Sequence, residues 1–214
     1  MTKSDDNIAY WNSHYGKKTT LRIPSQFAAF VLSEYYVYDK FIDLGCGNGR
    51  DSFFFAEHDK QVIGVDGADA AVQACNAQAQ RLFPDTLRFA QLDFSDAAAC
   101  DAFVAQHADR WAGSLVYARF FLHAIDEEAE RNFMKLALAL IGAQGRICVE
   151  FRTDRDAMQP KVTSAHYRRF IDPVDFINNM NGFGLKVEYY TTGFGFAKYK
   201  ADDAHVARFV LCAA

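Results

Sequence analysis

The sequence predicts an α/β fold: a largely parallel sheet with helices on both faces. Three observations carry this reading. Seven short apolar runs are spread along the chain, and most are separated by helix-like segments. A glycine-rich turn stands between the first run and the helix that follows it. The last two runs have no clear helix between them, which reads as an antiparallel pair at one edge of the sheet. Right-handed crossovers then place ligand sites at the carboxyl ends of the strands, near the point where strand order reverses.

The elements follow in order. Ile23-Pro24-Ser25-Gln26-Phe27 begins a helix running to about Glu34, with Pro24 or Ser25 near its start. Phe41 to Leu44 ends a first strand, and Asn48 to His58 reads as a helix. Gln61 to Asp66 is a second strand, followed by an alanine-rich helix from Ala68 to about Leu82. Thr86 to Gln91 is the third strand, with Ala97 to Ala108 helical after it. Ser114 to Ala118 is the fourth, followed by a helix from Glu127 to Ile141, and Arg146 to Glu150 is the fifth. Pro173 opens the next helix, where its missing N–H costs little, and Gly182 or Gly184 ends it. Leu185 to Tyr190 and Val206 to Cys212 are the last two strands.

Composition excludes several classes of protein. With 50% hydrophobic and 23% charged residues, the 214-residue chain is neither disordered nor fibrous, and it fits one α/β domain. A net charge of −4 gives no overall drive toward nucleic acid or an anionic membrane. No apolar run approaches the roughly 20 residues of a transmembrane helix, and the polar start Met1 to Asn7 lacks the apolar core of a signal peptide. The five cysteines, Cys46, Cys75, Cys100, Cys148 and Cys212, are scattered without a C-x-x-C pair. Neither a disulfide framework nor a metal site is expected, and a cytoplasmic location is. Aromatic residues are abundant enough, at 15%, that some are expected to line a pocket.

Asp43-Leu44-Gly45-Cys46-Gly47-Asn48-Gly49 lies where a strand turns into a helix, and its glycines let backbone approach a ligand closely. The spacing G-x-G-x-G stops one residue short of the dinucleotide fingerprint, and no Gly-Lys-Ser/Thr follows to make a P-loop. Asp66 ends the second strand, 23 residues after Asp43, where a carboxylate can accept both ribose hydroxyls of an adenosine ligand. Asp93 follows the third strand, suited to an adenine amino group, with Leu92 or Phe94 against the ring. Plainer roles stand beside these: Asp66 as a cap for the helix at Ala68, Asp93 as a turn cap, Cys46 as a loop filler.

Taken together, Asp43 to Gly49, Gly64-Val65-Asp66 and Gln91-Leu92-Asp93-Phe94 resemble the class I S-adenosylmethionine-dependent methyltransferase family. The resemblance implies a single Rossmann-like domain with a seven-stranded sheet of order 3-2-1-4-5-7-6, strand 7 antiparallel, and S-adenosyl-L-methionine as cofactor. It implies that Asp43, Gly45, Cys46, Gly47, Asn48 and Gly49 hold the methionine moiety. Asp66 and Gly67 would hold the ribose, and Leu92, Asp93 and Phe94 the adenine. Ala118 would stand beside the transferring methyl. Gly67 departs from the serine of many members, which removes one polar contact.

On the acceptor side, the segment Ala118-Arg119-Phe120-Phe121-Leu122-His123 after the fourth strand lacks the Asn/Asp-Pro-Pro-Tyr/Phe pattern of exocyclic and amide nitrogen methyltransferases. Arg119 and His123 are four apart, so one helical turn would stack them on a single face as catalytic candidates. Arg152, at the end of the fifth strand, and His166, Arg168 and Arg169, in the long connection after it, are expected to converge with Arg119 on one opening. Arginine forks suit phosphate or carboxylate, so the expected acceptor is a small anionic molecule, methylated on oxygen. The competing reading pairs these charges with Asp154, Asp156 and Asp172, gives Arg119 its own carboxylate, and makes His123 a hydrogen-bonded loop residue. Residues 1–36 are read as a lid or helical segment ahead of a cofactor-binding domain over 37–214, with Trp11 and Tyr15 on one helical face to cover the site and exclude water. Alternatives kept open are a tRNA or other nucleic-acid methyltransferase, aminopropyl transfer on the same fold, and a non-catalytic cofactor-binding subunit. Arg119 stands where a polyamine site would want a carboxylate. The oligomeric state is not legible.

Overall fold

The computed structural model describes residues 23–159, 167–199 and 201–214. Ser25 caps helix α1 (Gln26–Glu34), its hydroxyl accepting from the Ala28 N–H at 2.9 Å. Strand β1 (Lys40–Leu44) leads into α2 (Arg50–Ala56), β2 (Gln61–Asp66) into α3 (Asp69–Leu82), and β3 (Leu87–Gln91) into α4 (Ala97–Trp111). Then come β4 (Leu115–Arg119), a single 3-10 turn at Leu122–Ala124, α5 (Glu127–Ile141), β5 (Arg146–Arg152), a second 3-10 turn at Asp154–Asp156, α6 (Pro173–Gly182), β6 (Leu185–Gly193) and β7 (Val206–Ala213). Aspartates cap three of the helices: Asp96 on α4, Asp126 on α5 and Asp172 on α6, each worth about 1 kcal/mol.

Hydrogen bonding joins the strands in the order β3-β2-β1-β4-β5-β7-β6, as expected. All neighbours are parallel except β7, which runs antiparallel to both β5 and β6. Strand order reverses between β1 and β4, so the connections leaving their carboxyl ends run to opposite faces of the sheet, the arrangement that opens a crevice in such folds. The sheet is buried on both faces. Helices α4, α5 and α6 pack one side through Phe103, Phe133, Leu140, Phe176 and their neighbours. Helices α1, α2 and α3 pack the other through Phe27, Val31, Phe53, Phe55 and Val72. Each such buried Phe or Val contributes about 1.5–3 kcal/mol.

Several elements differ from expectation at their ends. Helix α2 starts at Arg50 rather than Asn48, because Gly49 takes a left-handed conformation and cannot belong to the helix. Strands β4 and β5 run on to Arg119 and Arg152, so both arginines belong to the sheet. Within residues 1–36, α1 forms part of the core, with Phe27 stacked on Tyr117 at 5.2 Å, while Trp11 and Tyr15 lie outside the described residues. All five cysteines are free. Among the described residues no helix is long and apolar enough to cross a membrane.

Candidate functional site

The glycine loop hangs from β2. The N–H groups of Gly45 and Cys46 both donate to the Val65 carbonyl, at 2.7 and 3.1 Å, and the Gly47 N–H donates to Asp66 Oδ2 at 2.8 Å. Glycine is required at Gly45 for two reasons. Its φ is +76°, and a Cβ there would lie 2.2 Å from the Phe121 ring. Gly49, with φ +70°, would drive a Cβ to 2.8 Å from Phe89. Asn48 is half-buried at the crest of the turn. Cys46 points back into the fold. Its sulfur lies near the space beside Gly64, and burial pushes its thiol pKa up, so it fills the loop and is not a nucleophile.

Asp66 uses both oxygens on backbone: Oδ2 takes the Gly47 N–H and Oδ1 the Ala68 N–H at 2.9 Å. Each oxygen keeps a lone pair, so both remain able to accept a hydroxyl. Burial raises its pKa, and the two N–H donors oppose the rise. Gly67 is tied to β3 by the Gln91 amide, which donates to its carbonyl at 3.3 Å. Beyond β3, Asp93 Oδ1 accepts both the N–H and O–H of Ser95, at 2.9 and 2.8 Å, while Oδ2 has no donor among the described residues. Leu92 and Phe94 on either side of it are buried. The capping and the ligand-binding readings of Asp66 and Asp93 are thus compatible: one set of lone pairs shapes the loops and another is left over.

Asp43 is buried at the end of β1, where Ser52 Oγ donates to its Oδ2 at 2.5 Å. Burial raises its pKa to about 8, against the opposing Ser52 hydrogen bond. The unfolded chain releases this proton near its ordinary value, and the folded protein holds it to about pH 8. Stability is therefore withdrawn as pH rises between those values, at a slope approaching about 1.4 kcal/mol per pH unit. Urea unfolding of the ligand-free protein between about pH 5 and pH 8 should show this decline, and Asp43→Asn should flatten it. An unchanged slope in the variant would remove Asp43 as its source.

Asp51, in the first turn of α2, is a junction that the sequence did not flag. It accepts from the Ser25 N–H (2.9 Å), the Ser25 hydroxyl (2.8 Å) and the Tyr117 hydroxyl (2.8 Å), and it pairs with Arg50 at 3.1 Å. Burial opposes its charge, but Arg50 and Arg119 hold its pKa below the usual carboxylate range. Through this one side chain, α1, α2 and β4 meet beside the glycine loop.

After β4 the chain does not make the expected helical turn. Arg119 is still strand, and Phe120 takes φ +56°, a strained conformation for a bulky residue that swings the backbone around. Arg119 and His123 therefore do not stack. Arg119 Nε donates to Glu150 Oε1 at 2.8 Å, with its guanidinium 4.2 Å from the Phe120 ring centroid. His123 is buried, its Nδ1 accepts the Arg152 N–H at 3.2 Å, and its carbonyl accepts the Arg169 N–H at 2.7 Å. The first bond fixes the neutral tautomer with hydrogen on Nε2, so the ring presents a donor there and not a base. Ala118, just before this bend, is buried beside β1 and β5.

Nor do the arginines converge on one opening. Arg152 Nη1 and Nη2 bind Asp156 at 2.6 Å and Asp202 at 2.7 Å. Arg169 pairs with Glu130 and donates to the Leu122 carbonyl at 3.0 Å. Arg168 is half-buried in the same stretch, and His166 lies outside the described residues. The competing ion-pair reading holds for Arg119 and, through Asp156, for Arg152, while Arg169 is paired too but with Glu130 rather than with Asp154, Asp156 or Asp172. Arg119 alone of these three spends only Nε on protein, and neither terminal nitrogen has an acceptor among the described residues. Among the described residues no three His, Cys, Asp or Glu side chains form a metal-ligand group.

Glycine loop, paired carboxylates and strand order together define an adenosyl-cofactor methyltransferase on a Rossmann-like sheet. A profile described as "Methyltransferase domain" matches residues 38–155. Among solved structures, the chain is similar to a SAM-dependent methyltransferase from Anabaena variabilis, with TM-score 0.76 and 17% identity over 100% of this chain and 96% of that one. It is similar to a TehB-like SAM-dependent methyltransferase from Corynebacterium glutamicum, with TM-score 0.64 and 15% identity over 99% and 98%. It is also similar to a 1,6-didemethyltoxoflavin-N1-methyltransferase from Burkholderia thailandensis, with TM-score 0.66 and 16% identity over 88% and 76%. No curated protein matches it. The chain belongs to the methyltransferase-domain family and is a class I S-adenosylmethionine-dependent methyltransferase.

The residues present fit that cofactor. The cradle at Gly45 and Gly49 excludes side chains of its own, and Asp66 and Asp93 keep free lone pairs at two successive strand ends. Bound there, S-adenosylmethionine supplies an activated methyl group. What the chain would add is position: Asp66 and Asp93 would accept hydroxyl and amino hydrogens, Leu92 and Phe94 would stand as apolar walls, and the loop would bring backbone close.

Proposed function

We propose that the protein methylates a small acceptor carrying one anionic group, on an oxygen that needs no general base. The observation that carries this is Arg119, at the carboxyl end of β4, with two terminal nitrogens unspent. Support comes from what surrounds it. His123 turns its Nδ1 to a main-chain N–H, and Asp43, raised by burial, is held mostly protonated at neutral pH. Neither offers an available base, one nitrogen being spent on a main-chain N–H and the carboxyl keeping its proton, which suits a carboxylate or phosphate oxygen that arrives unprotonated. Cofactor recognition rests on Asp43, the Gly45–Gly49 loop, Asp66 and Asp93 in this reading. His123 is a positioning residue for the strand-end backbone, and Arg168 and Trp11 and Tyr15 are left as further candidates for the acceptor wall.

Calorimetry with S-adenosylhomocysteine, then a screen of acceptors by its release, tests the proposal. Wild-type protein should bind it, and Asp66→Ala should lose about tenfold to a hundredfold in affinity, the value of one or two charge-assisted hydrogen bonds of about 1.5–3 kcal/mol. Phosphorylated and carboxylated compounds should turn over ahead of neutral alcohols and amines. Arg119→Gln should raise the acceptor KM at least tenfold, with the homocysteine affinity kept. Turnover confined to amines would overturn the oxygen-directed reading.

A further inference from the structure

Arg119, Glu150 and Arg208 stand side by side across three strands. Glu150 on β5 is directly opposite Arg119 on β4 and directly opposite Arg208 on β7. Its side chain is buried, with the whole residue 1% exposed, and its two oxygens are divided: Oε1 takes Arg119 Nε at 2.8 Å and Oε2 takes Arg208 Nε at 2.7 Å. Both arginines are held by Nε, so the forked ends project past the carboxylate. Arg208 spends Nη2 on the Phe196 carbonyl at 2.8 Å and packs against Phe27 and Phe196, at 5.2 and 4.9 Å from their centroids. Arg119 is the more open of the two, with 16% of its side chain exposed against 7%.

Two buried guanidiniums share one carboxylate, which leaves one positive charge over. Neighbouring carboxylates have cations of their own: Asp51 pairs with Arg50, although Arg119 also acts on it, and Asp156 and Asp202 are engaged by Arg152, whose guanidinium lies 5.3 Å from the Phe120 ring centroid. Burying such a triad is weak evidence for stability, since hydrophobic residues of the same volume do as well or better. Another use for it is called for.

We propose that Glu150 is a positioning residue for acceptor binding: braced by Arg208, it fixes Arg119 so that its two terminal nitrogens face a single anionic group of the acceptor, a carboxylate or phosphate. This rests on the reading of Arg119 given under the proposed function. A positioning role and a plain electrostatic one predict opposite signs. Removing the negative charge of Glu150 makes the pocket more positive, so Coulomb attraction alone would tighten anion binding. Loss of the brace frees Arg119 to rotate and loosens it.

The test uses the full chain saturated with S-adenosylhomocysteine and inorganic phosphate as the probe, followed by phosphorus NMR line broadening. Wild type should bind phosphate, and Arg119→Gln should abolish that binding. Glu150→Gln should weaken it at least tenfold while the S-adenosylhomocysteine affinity stays within twofold. Where Glu150→Gln does not fold, Glu150→Asp serves: it keeps the charge but is one methylene too short to reach both Nε atoms, and the same loosening is expected. Unchanged or tighter phosphate binding in the Glu150 variants, with Arg119→Gln still defective, overturns the positioning role and leaves the Arg119 reading intact. Absent binding in wild type, or normal binding in Arg119→Gln, overturns the Arg119 reading itself. Weaker S-adenosylhomocysteine binding by Arg119→Gln, with 5′-methylthioadenosine bound as before, would assign the anion to the cofactor's own carboxylate and overturn the proposal.

Discussion

Replacing Arg152 with alanine should cost about 3–5 kcal/mol of folding stability, the usual effect of removing one partner from a buried ion pair. The residue is 5% exposed, and its two terminal nitrogens hold Asp156 and Asp202. Asp156 Oδ1 in turn accepts the His205 N–H at 3.0 Å, and the Thr153 N–H donates to the His205 carbonyl at 3.0 Å. The guanidinium therefore fastens the chain just before β7 to the end of β5. Without it, Asp156 and Asp202 lose the cation that joins them. Urea unfolding at about pH 7 measures the loss. A variant as stable as wild type, with only its acceptor KM raised, would return Arg152 to the binding site.

This reassignment shows which part of the site a sequence can disclose. The strand-end placement of Asp43, the Gly45–Gly49 loop, Asp66 and Asp93 was legible because each follows an apolar run that is itself legible, and local hydrogen bonds finish the geometry. The antiparallel β6–β7 pair followed from the missing helix between the last two runs, whereas the strand order came from the resemblance to the methyltransferase family. The acceptor side was not legible, for two physical reasons. Its arginines find carboxylates far away in the chain: Arg119 with Glu150, Arg169 with Glu130, Arg152 with Asp202. No local spacing announces those pairs. The four-residue interval between Arg119 and His123 suggested a helix only if the strand ended at Ala118, whereas β4 runs one residue further and Phe120 reverses the chain. Alternation within the strand was the signal available. In Tyr117-Ala118-Arg119, as in Cys148-Val149-Glu150, the first and third residues share a face, and on β4 and β5 that face carries Arg119 and Glu150 together.

Gly45→Val should be the most damaging single change in the cofactor cradle, costing about 2–6 kcal/mol and abolishing S-adenosylhomocysteine binding. Two penalties add. A branched residue at φ +76° is strained by about 1–3 kcal/mol, and forcing side-chain atoms into occupied space costs about 1–3 kcal/mol more. The occupied space is the Phe121 ring, which cannot step aside easily: it packs edge-on to Phe94 at 4.9 Å and against Phe133 at 5.8 Å. The loop that would move instead carries the Gly47 N–H that holds Asp66, so that carboxylate would be released along with it. The two penalties can be separated within the same molecule. Gly184 has nearly the same φ, +73°, but nothing within 4 Å of where its Cβ would stand. Gly184→Ala therefore measures the backbone cost alone, about 1 kcal/mol, and Gly45→Ala should exceed it by the steric part. Phe121→Ala, which removes the Cγ and Cδ2 atoms nearest Gly45, should recover some of that excess, so the double variant is more stable than the sum of the single losses predicts. Equal losses for Gly45→Ala and Gly184→Ala in urea unfolding, with homocysteine binding intact, would mean that the contact with Phe121 does not hold the cradle in shape.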